Sequence, residues 1–257
     1  MSAPVDARPV ALVTGGSRGI GAATALALAR SGWDLCVGYR SDSEAAKKVA
    51  AQCADLGAEA IAVATDVADQ SAVGALYQSV DHHWAGRGLL SALVNSAGIV
   101  DRSSRVQDMD AARLTRMFAV NVVGSFLCAG QAVRRMSTAH GGAGGVIVNV
   151  SSAASRLGSP GEYVDYAASK GAIDTMTMGL AKEVASEGIR VVAVRPGIID
   201  TDIHASGGQP NRAQLLAWQI PLGRAGRPEE VATTIAWLCS QEASYVTGAI
   251  VDVSGGR

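Results

Sequence analysis

Tyr166 and Lys170, in Tyr166-Ala167-Ala168-Ser169-Lys170, stand four residues apart in an alanine-rich stretch, so on a helix they share one face. The spacing sets a phenol beside a cation. A phenol that ordinarily titrates near pKa ~10 becomes a useful base at neutral pH after a drop of two or three units, equivalent to roughly 3–4 kcal/mol of phenolate stabilisation. A nearby ammonium is expected to supply much of that. The same spacing also fits a ring packed beside a solvated lysine, so the pair gains chemical meaning only from the elements that place a reacting group next to it.

Those elements are readable as short, continuous apolar runs: Val10 to Val13, Leu35 to Val37, Ala60 to Ala64, Ala92 to Val94, Val146 to Val148, Val191 to Val194 and Ala249 to Val251. Runs of this kind suit strands buried on both faces. Between them lie helical stretches, Gly19 to Ser31, Glu44 to Leu56, Asp69 to Trp84, Asp110 to Ser137, Tyr166 to Gly188 and Pro228 to Cys239. Regular β-α alternation predicts a Rossmann-type, doubly wound α/β fold with about seven parallel strands and helices on both faces. The pattern shows no fixed-period repeat or linker, which predicts one domain over residues 1–257. Only residues 202–221, with Gly207-Gly208-Gln209-Pro210, break the alternation, and they are expected to form a substrate loop or lid.

Composition narrows the function classes. The 257-residue chain carries a net charge of −1, which gives no basic excess for nucleic acid. Four scattered cysteines without a Cys-x-x-Cys fit a reduced, cytoplasmic chain. No window approaches eighteen uninterrupted apolar residues, so no membrane partner is expected. His82, His83, His140 and His204 lack metal-ligand spacing, and no metal site is predicted.

The first predicted strand runs into Thr14-Gly15-Gly16-Ser17-Arg18-Gly19-Ile20-Gly21 and then a helix. A glycine-rich strand-to-helix turn lets backbone N–H groups approach a pyrophosphate, although the glycines here are spaced G-x-x-x-G-x-G. Arg18 opposes the helix macrodipole, an arrangement that a bound anion would compensate. The second strand ends at Tyr39 and Arg40, where an NAD-type site would place an acid on the ribose. Two arginines near a 2′-phosphate predict a preference for NADP(H), with NAD(H) as the alternative. Asp42 lies just beyond, and a capping box from Ser41 to Glu44 would account for the acidic helix start.

Taken together with Tyr166 and Lys170, the chain resembles the short-chain dehydrogenase/reductase family over essentially its whole length. Besides the Thr14 to Gly21 turn, Asp66-Val67 resembles the family's adenine-contacting pair. Asn95-Ser96-Ala97-Gly98 resembles its Asn-Asn-Ala-Gly segment, with Ser96 as a departure that bears on local hydrogen bonding. Asn121 in Asn121-Val122-Val123-Gly124 and Ser152, ending Val148-Asn149-Val150-Ser151-Ser152, match the asparagine and serine of the family's catalytic tetrad. Arg195-Pro196-Gly197-Ile198-Ile199-Asp200-Thr201 resembles the segment that holds the nicotinamide side. Structural roles stand beside these: Asp66 as the cap of a helix near Asp69, Asn95 closing a strand, Asn121 as a buried polar group, Ser151 and Ser152 ending a strand, and Pro196-Gly197 as a simple breaker. Ser155 is a further candidate hydroxyl, whereas Tyr163 has Ala167, not a lysine, four residues on.

The resemblance implies catalysis by Asn121, Ser152, Tyr166 and Lys170. It implies cofactor contacts from Thr14, Gly15, Ser17, Arg18, Gly19, Ile20, Gly21, Tyr39, Arg40, Asp66, Val67, Asn95, Ala97, Gly98, Tyr166, Lys170, Pro196, Gly197, Ile198 and Thr201. In this expectation Tyr166 exchanges a proton with a carbonyl or alcohol oxygen, Ser152 polarises it, Lys170 stabilises the phenolate and binds ribose, and Asn121 holds a water. Substrates resembling those of 3-oxoacyl-carrier-protein reductases or of glucose-type sugar dehydrogenases both fit; a non-catalytic nucleotide-binding regulator is the alternative of another class. Residues 155–163 and 202–221 are expected to shape the pocket, with Arg156, His204 and Gln209 as individual possibilities. A homotetramer, joined through the long helices and the C-terminal strand region, is implied by the family.

Overall fold

The continuous apolar runs become the strands of a single sheet, and the alternation of side chains along each strand explains why both faces are covered. The chain is described here by a computed structural model covering residues 8–203 and 207–257. Its strands are β1 (Val10–Thr14), β2 (Asp34–Tyr39), β3 (Ala60–Ala64), β4 (Leu90–Asn95), β5 (Gly145–Val150), β6 (Ile189–Pro196) and β7 (Ile250–Val253). They form a seven-stranded sheet in the order β3-β2-β1-β4-β5-β6-β7, every recorded pair parallel. This is the doubly wound α/β architecture.

Leu12, Leu93, Ile147 and Val191 face one way and pack with α3 (Gln70–His83), α5 (Gly124–Met136) and α7 (Val164–Val184). Their neighbours Val13, Val94, Val148 and Val192 face the other way, onto α1 (Gly19–Arg30), α2 (Ser43–Asp55) and α9 (Pro228–Cys239). Each such fully buried aliphatic side chain contributes roughly 1.5–3 kcal/mol. Strand order reverses between β1 and β4, and a crevice opens at their carboxyl ends, where folds of this type bind ligands.

Several local readings are corrected. Asp42, not Ser41, caps α2 by accepting from Ala45 N at 3.0 Å, and Glu44 pairs with Lys47 instead of closing a capping box. Asp69 caps α3 through Ser71 N and Ala72 N, while the Asp66 carboxylate accepts from Ala68 N and its backbone carbonyl from Asp69 N, within the turn ahead of the helix. The stretch predicted as one helix from Asp110 to Ser137 is α4 (Ala111–Phe118), a π turn (Ala119–Val123) and α5. As a continuous run, Ala111–Met136 is long and apolar enough to cross a membrane by length and mean hydropathy. It nevertheless contributes Val120, Cys128, Ala129, Ala132 and Met136 to the core, the behaviour of a helix packed against a sheet. Helix α7 begins two residues earlier than expected, at Val164, which puts Tyr166 in its first turn.

Candidate active site

The glycine-rich turn is shaped by close backbone approach. Gly15 has φ +63°, and a Cβ there would lie 2.8 Å from Ala97 Cα; a Cβ on Gly21 would lie 2.3 Å from Gly15 O. Side chains are therefore excluded at both positions. Thr14, at the end of β1, anchors the facing loop by accepting from Ser96 N and Ala97 N, each at 3.2 Å. Ser96 thus joins this contact through its backbone, which is indifferent to the side-chain departure noted in the sequence. Arg18 is the extended N-cap of α1 and its side chain makes no capping bond to the first N–H groups of that helix.

Of the residues predicted to act in catalysis or to contact the cofactor, all but Asn95 and Asn121 line one cavity of about 720 Å³, whereas the pocket candidates Arg156 and Gln209 do not line it. The glycine turn, Tyr39, Arg40, Asp66 and Val67 border it, as do Ser152, Tyr166, Lys170 and the Pro196 to Thr201 segment. Pro196 O accepts from Ala153 N at 2.9 Å, and a Cβ on Gly197 would meet Ser254 at 2.8 Å, so this segment is wedged between two neighbours. Thr201 reaches back over the glycine turn, its Cγ2 lying 3.4 Å from where a Gly19 Cβ would stand.

Asn95 is turned away from the cavity. Its amide donates to Asn149 Oδ1 at 3.0 Å and to Ser125 O at 3.3 Å, and Asn149 in turn donates to Thr177 Oγ1 at 2.9 Å. Asn121 is also buried: its Oδ1 accepts from Ile99 N at 2.8 Å, and its Nδ2 donates to Ile99 O at 3.0 Å and Ser169 Oγ at 3.1 Å. Its side chain clamps the loop after β4 to α7 instead of opening onto the cavity. It sits inside the π turn, an irregularity frequent at functional sites.

The two adjacent serines separate cleanly. Ser151 points inward, donating to Asp174 Oδ1 at 2.6 Å, and Asp174 is held by Arg195 at 2.8 Å. Ser152 lines the cavity, its Oγ accepting from Ala154 N at 3.1 Å, and its hydroxyl favours the Tyr166 phenolate. Ser155, in the short helix α6 (Ala154–Leu157), donates back to Ser152 O and does not line the cavity. Lys170 donates to Val150 O at 2.7 Å, with Nζ 5.7 Å from the centroid of the Tyr166 ring.

The electrostatics depart from the sequence expectation. Burial pushes the Tyr166 phenol above its ordinary value, and the Ser152 hydrogen bond only partly offsets this. Lys170 is itself drawn down to about 8 by burial, with Asp174 opposing. The Lys170 ammonium beside the ring does not overcome that burial. At neutral pH, Tyr166 holds its proton.

Arg212 and Glu162 were not anticipated. Arg212, from α8 (Arg212–Leu215), reaches Glu162 just ahead of α7, and both line the cavity. They lie fifty positions apart, and only the pairing of two stretches already assigned to the pocket hinted at contact. His204 lies outside the described residues.

Comparison with known proteins places this geometry in a family. A family model described as enoyl-(acyl carrier protein) reductase matches residues 15–257. The chain belongs to the short-chain dehydrogenase/reductase family and is an oxidoreductase of it. It is 52% identical to the uncharacterized oxidoreductase YgfF of Escherichia coli, covering 96% of this chain and 99% of that one. It is 42% identical to cis-4-hydroxycyclohexanecarboxylate dehydrogenase of Sinomonas cyclohexanicum, covering 97% and 96%. Among solved structures, a Burkholderia cenocepacia short-chain dehydrogenase in complex with NADP superposes with a TM-score of 0.86, 32% identity and coverage of 96% and 97%. A Brucella melitensis 3-ketoacyl-(acyl-carrier-protein) reductase complexed with NADH gives 0.88, 31%, 97% and 98%.

Proposed function

We propose that the protein is an NADP(H)-preferring oxidoreductase that moves hydride between the nicotinamide and a carbonyl or secondary alcohol of a small molecule, with a 3-oxoacyl-type ketone as the reduced substrate. The observation that carries this is the meeting of Ser152, Tyr166 and Lys170 on the wall of the cavity that also contains the glycine turn.

The residues fit a dinucleotide: an uncapped helix start, glycines that clear space for a pyrophosphate, and Arg18 and Arg40 on the same cavity. When bound, the nicotinamide supplies or accepts the hydride. Tyr166, protonated at neutral pH, donates to the developing alkoxide, and Ser152 donates a hydrogen bond to the same oxygen. Lys170, anchored at Val150 O, would hold the ribose with its remaining N–H groups and return a proton to Tyr166. Asn121 acts by position, tying Ile99 to the catalytic helix.

Two observations support NADP(H) over NAD(H). Arg18 and Arg40 supply two cations for a 2′-phosphate, and the Asp42 carboxylate is engaged as the α2 cap rather than held for a ribose diol. We further assign residues 1–257 to one domain with 202–221 as its lid, in a cytoplasmic homotetramer; exposed Leu114, Phe118, Phe126 and Met178 on α4, α5 and α7 are the apolar surface such an assembly would cover. The test is NADPH and NADH oxidation over a panel of ketones, β-ketoesters and sugars. Turnover of a β-ketoester with at least tenfold preference for NADPH is expected, and a tenfold preference for NADH would overturn the cofactor assignment. Light scattering reading a monomer would overturn the assembly.

A further inference from the structure

The substrate end of the cavity contains an ion pair that the proton-transfer chemistry does not use. Arg212 Nη2 donates to Glu162 Oε2 at 2.5 Å, and Nη1 donates to Glu162 Oε1 at 3.2 Å and to Gln209 Oε1 at 2.7 Å. The guanidinium lies 5.1 Å from the centroid of the Tyr163 ring, and only 14% of the Arg212 side chain is exposed. A planar fork held by both oxygens of a carboxylate is the geometry with which arginine receives a carboxylate ligand. In this protein the carboxylate comes from the chain itself.

We propose that Glu162 and Arg212 determine substrate charge: Glu162 occupies the carboxylate position on Arg212, so the pocket selects uncharged ketones and rejects those bearing a carboxylate. This rests on the carbonyl-reductase reading of the same cavity. An acidic substrate would have to displace a bidentate internal partner and then share the cavity with the released Glu162 carboxylate, whereas an ester of the same ketone meets a neutral pair. Removing the internal carboxylate leaves a largely buried cation with one neutral partner, Gln209, and a strong demand for an anion. Gln at position 162 keeps the shape and a hydrogen bond but surrenders that charge.

The matched pair ethyl acetoacetate and acetoacetate isolates the effect, because the reacting carbonyl is the same. With NADPH, the natural protein is expected to favour the ester in kcat/KM by at least tenfold. Glu162→Gln is expected to narrow that ratio at least tenfold, through a lower KM for acetoacetate. Arg212→Gln is expected to keep the ratio at or above its natural value. A purely structural latch would alter both substrates together and leave the ratio in place. Equal use of both substrates by the natural protein, or a ratio unmoved by Glu162→Gln, overturns the proposal. Calorimetric titration of acetoacetate into the NADP⁺ complex reads the same pair without turnover: at least tenfold tighter binding to Glu162→Gln is expected, and no gain overturns the proposal. Absent turnover together with that gain would instead count against the reductase reading alone.

Discussion

Arg113 grips Asp165 through two hydrogen bonds, Nε to Oδ2 at 2.7 Å and Nη2 to Oδ1 at 3.2 Å, and the Asp165 side chain is completely buried one residue before Tyr166. Helix α4 is thereby pinned to the first turn of α7, where an acidic residue also suits the helix macrodipole. Arg113→Met would leave a buried carboxylate without its partner and is expected to cost about 3–5 kcal/mol. Urea unfolding measures this, and an unchanged midpoint would contradict the pairing. The double change Arg113→Met with Asp165→Leu is expected to recover much of the loss.

Tyr166→Phe removes the phenol hydroxyl proposed as the proton donor while keeping the ring. A fall in kcat of roughly 10²–10⁴ is expected, with NADPH affinity nearly unchanged. Single-turnover kinetics and calorimetry separate the two quantities, and near-normal turnover would remove Tyr166 from the reaction.

Lys170 links the site to pH. Its pKa of about 8 in the folded protein lies below the ordinary lysine value of 10.5. Between those values the unfolded chain binds the proton and the folded one does not, so stability rises with pH across that window. Below pH 8 both states are charged, and burial of the ammonium weighs fully against folding. Relative to Lys170→Met, the natural protein is expected to gain about 3 kcal/mol between pH 8 and pH 10.5. Denaturant titrations of both proteins across that range check the sign, and a flat difference would place the folded pKa near its ordinary value.

Arg40→Ala is expected to raise the KM for NADPH by roughly tenfold to a hundredfold and to leave NADH little changed, the scale of one hydrogen bond to a charged group. Comparing the two cofactors in one assay makes the point. A parallel loss for both would mean that Arg40 does not meet the 2′-phosphate.

Gly21→Ala drives a methyl to within 2.3 Å of Gly15 O. Because the obstacle is backbone, the turn must move, and NADPH binding is expected to weaken at least tenfold by calorimetry. Normal affinity would show that the turn can yield.

Much of this was legible in the residues, and where legibility failed there is a physical reason. Strands buried on both faces leave continuous apolar runs, so β3 was placed to the residue, β1 to within one, and the centres of β2 and β5 were found. The glycine turn was legible because steric exclusion is local. The cap of α2 was misplaced by one residue, since Ser41 and Asp42 can each cap and only the backbone path decides. Distant partners were unreadable: Ile99 for Asn121 and Glu162 for Arg212 follow from how loops fold back. The electrostatic sign at Tyr166 was missed because a spacing of four reports proximity but says nothing of burial, which here outweighs the neighbouring charge.

The chain of amides from Asn95 through Asn149 to Thr177 crosses two strands and ends on α7. Its members are buried, and a slip of β4 or β5 by one pleat would strand two amides in an apolar layer without partners. The chain therefore acts as a key cut for a single alignment. Strands of interchangeable valines could slide past one another at little cost, but these cannot, and that intolerance fixes the Ser152 loop at one height relative to Tyr166.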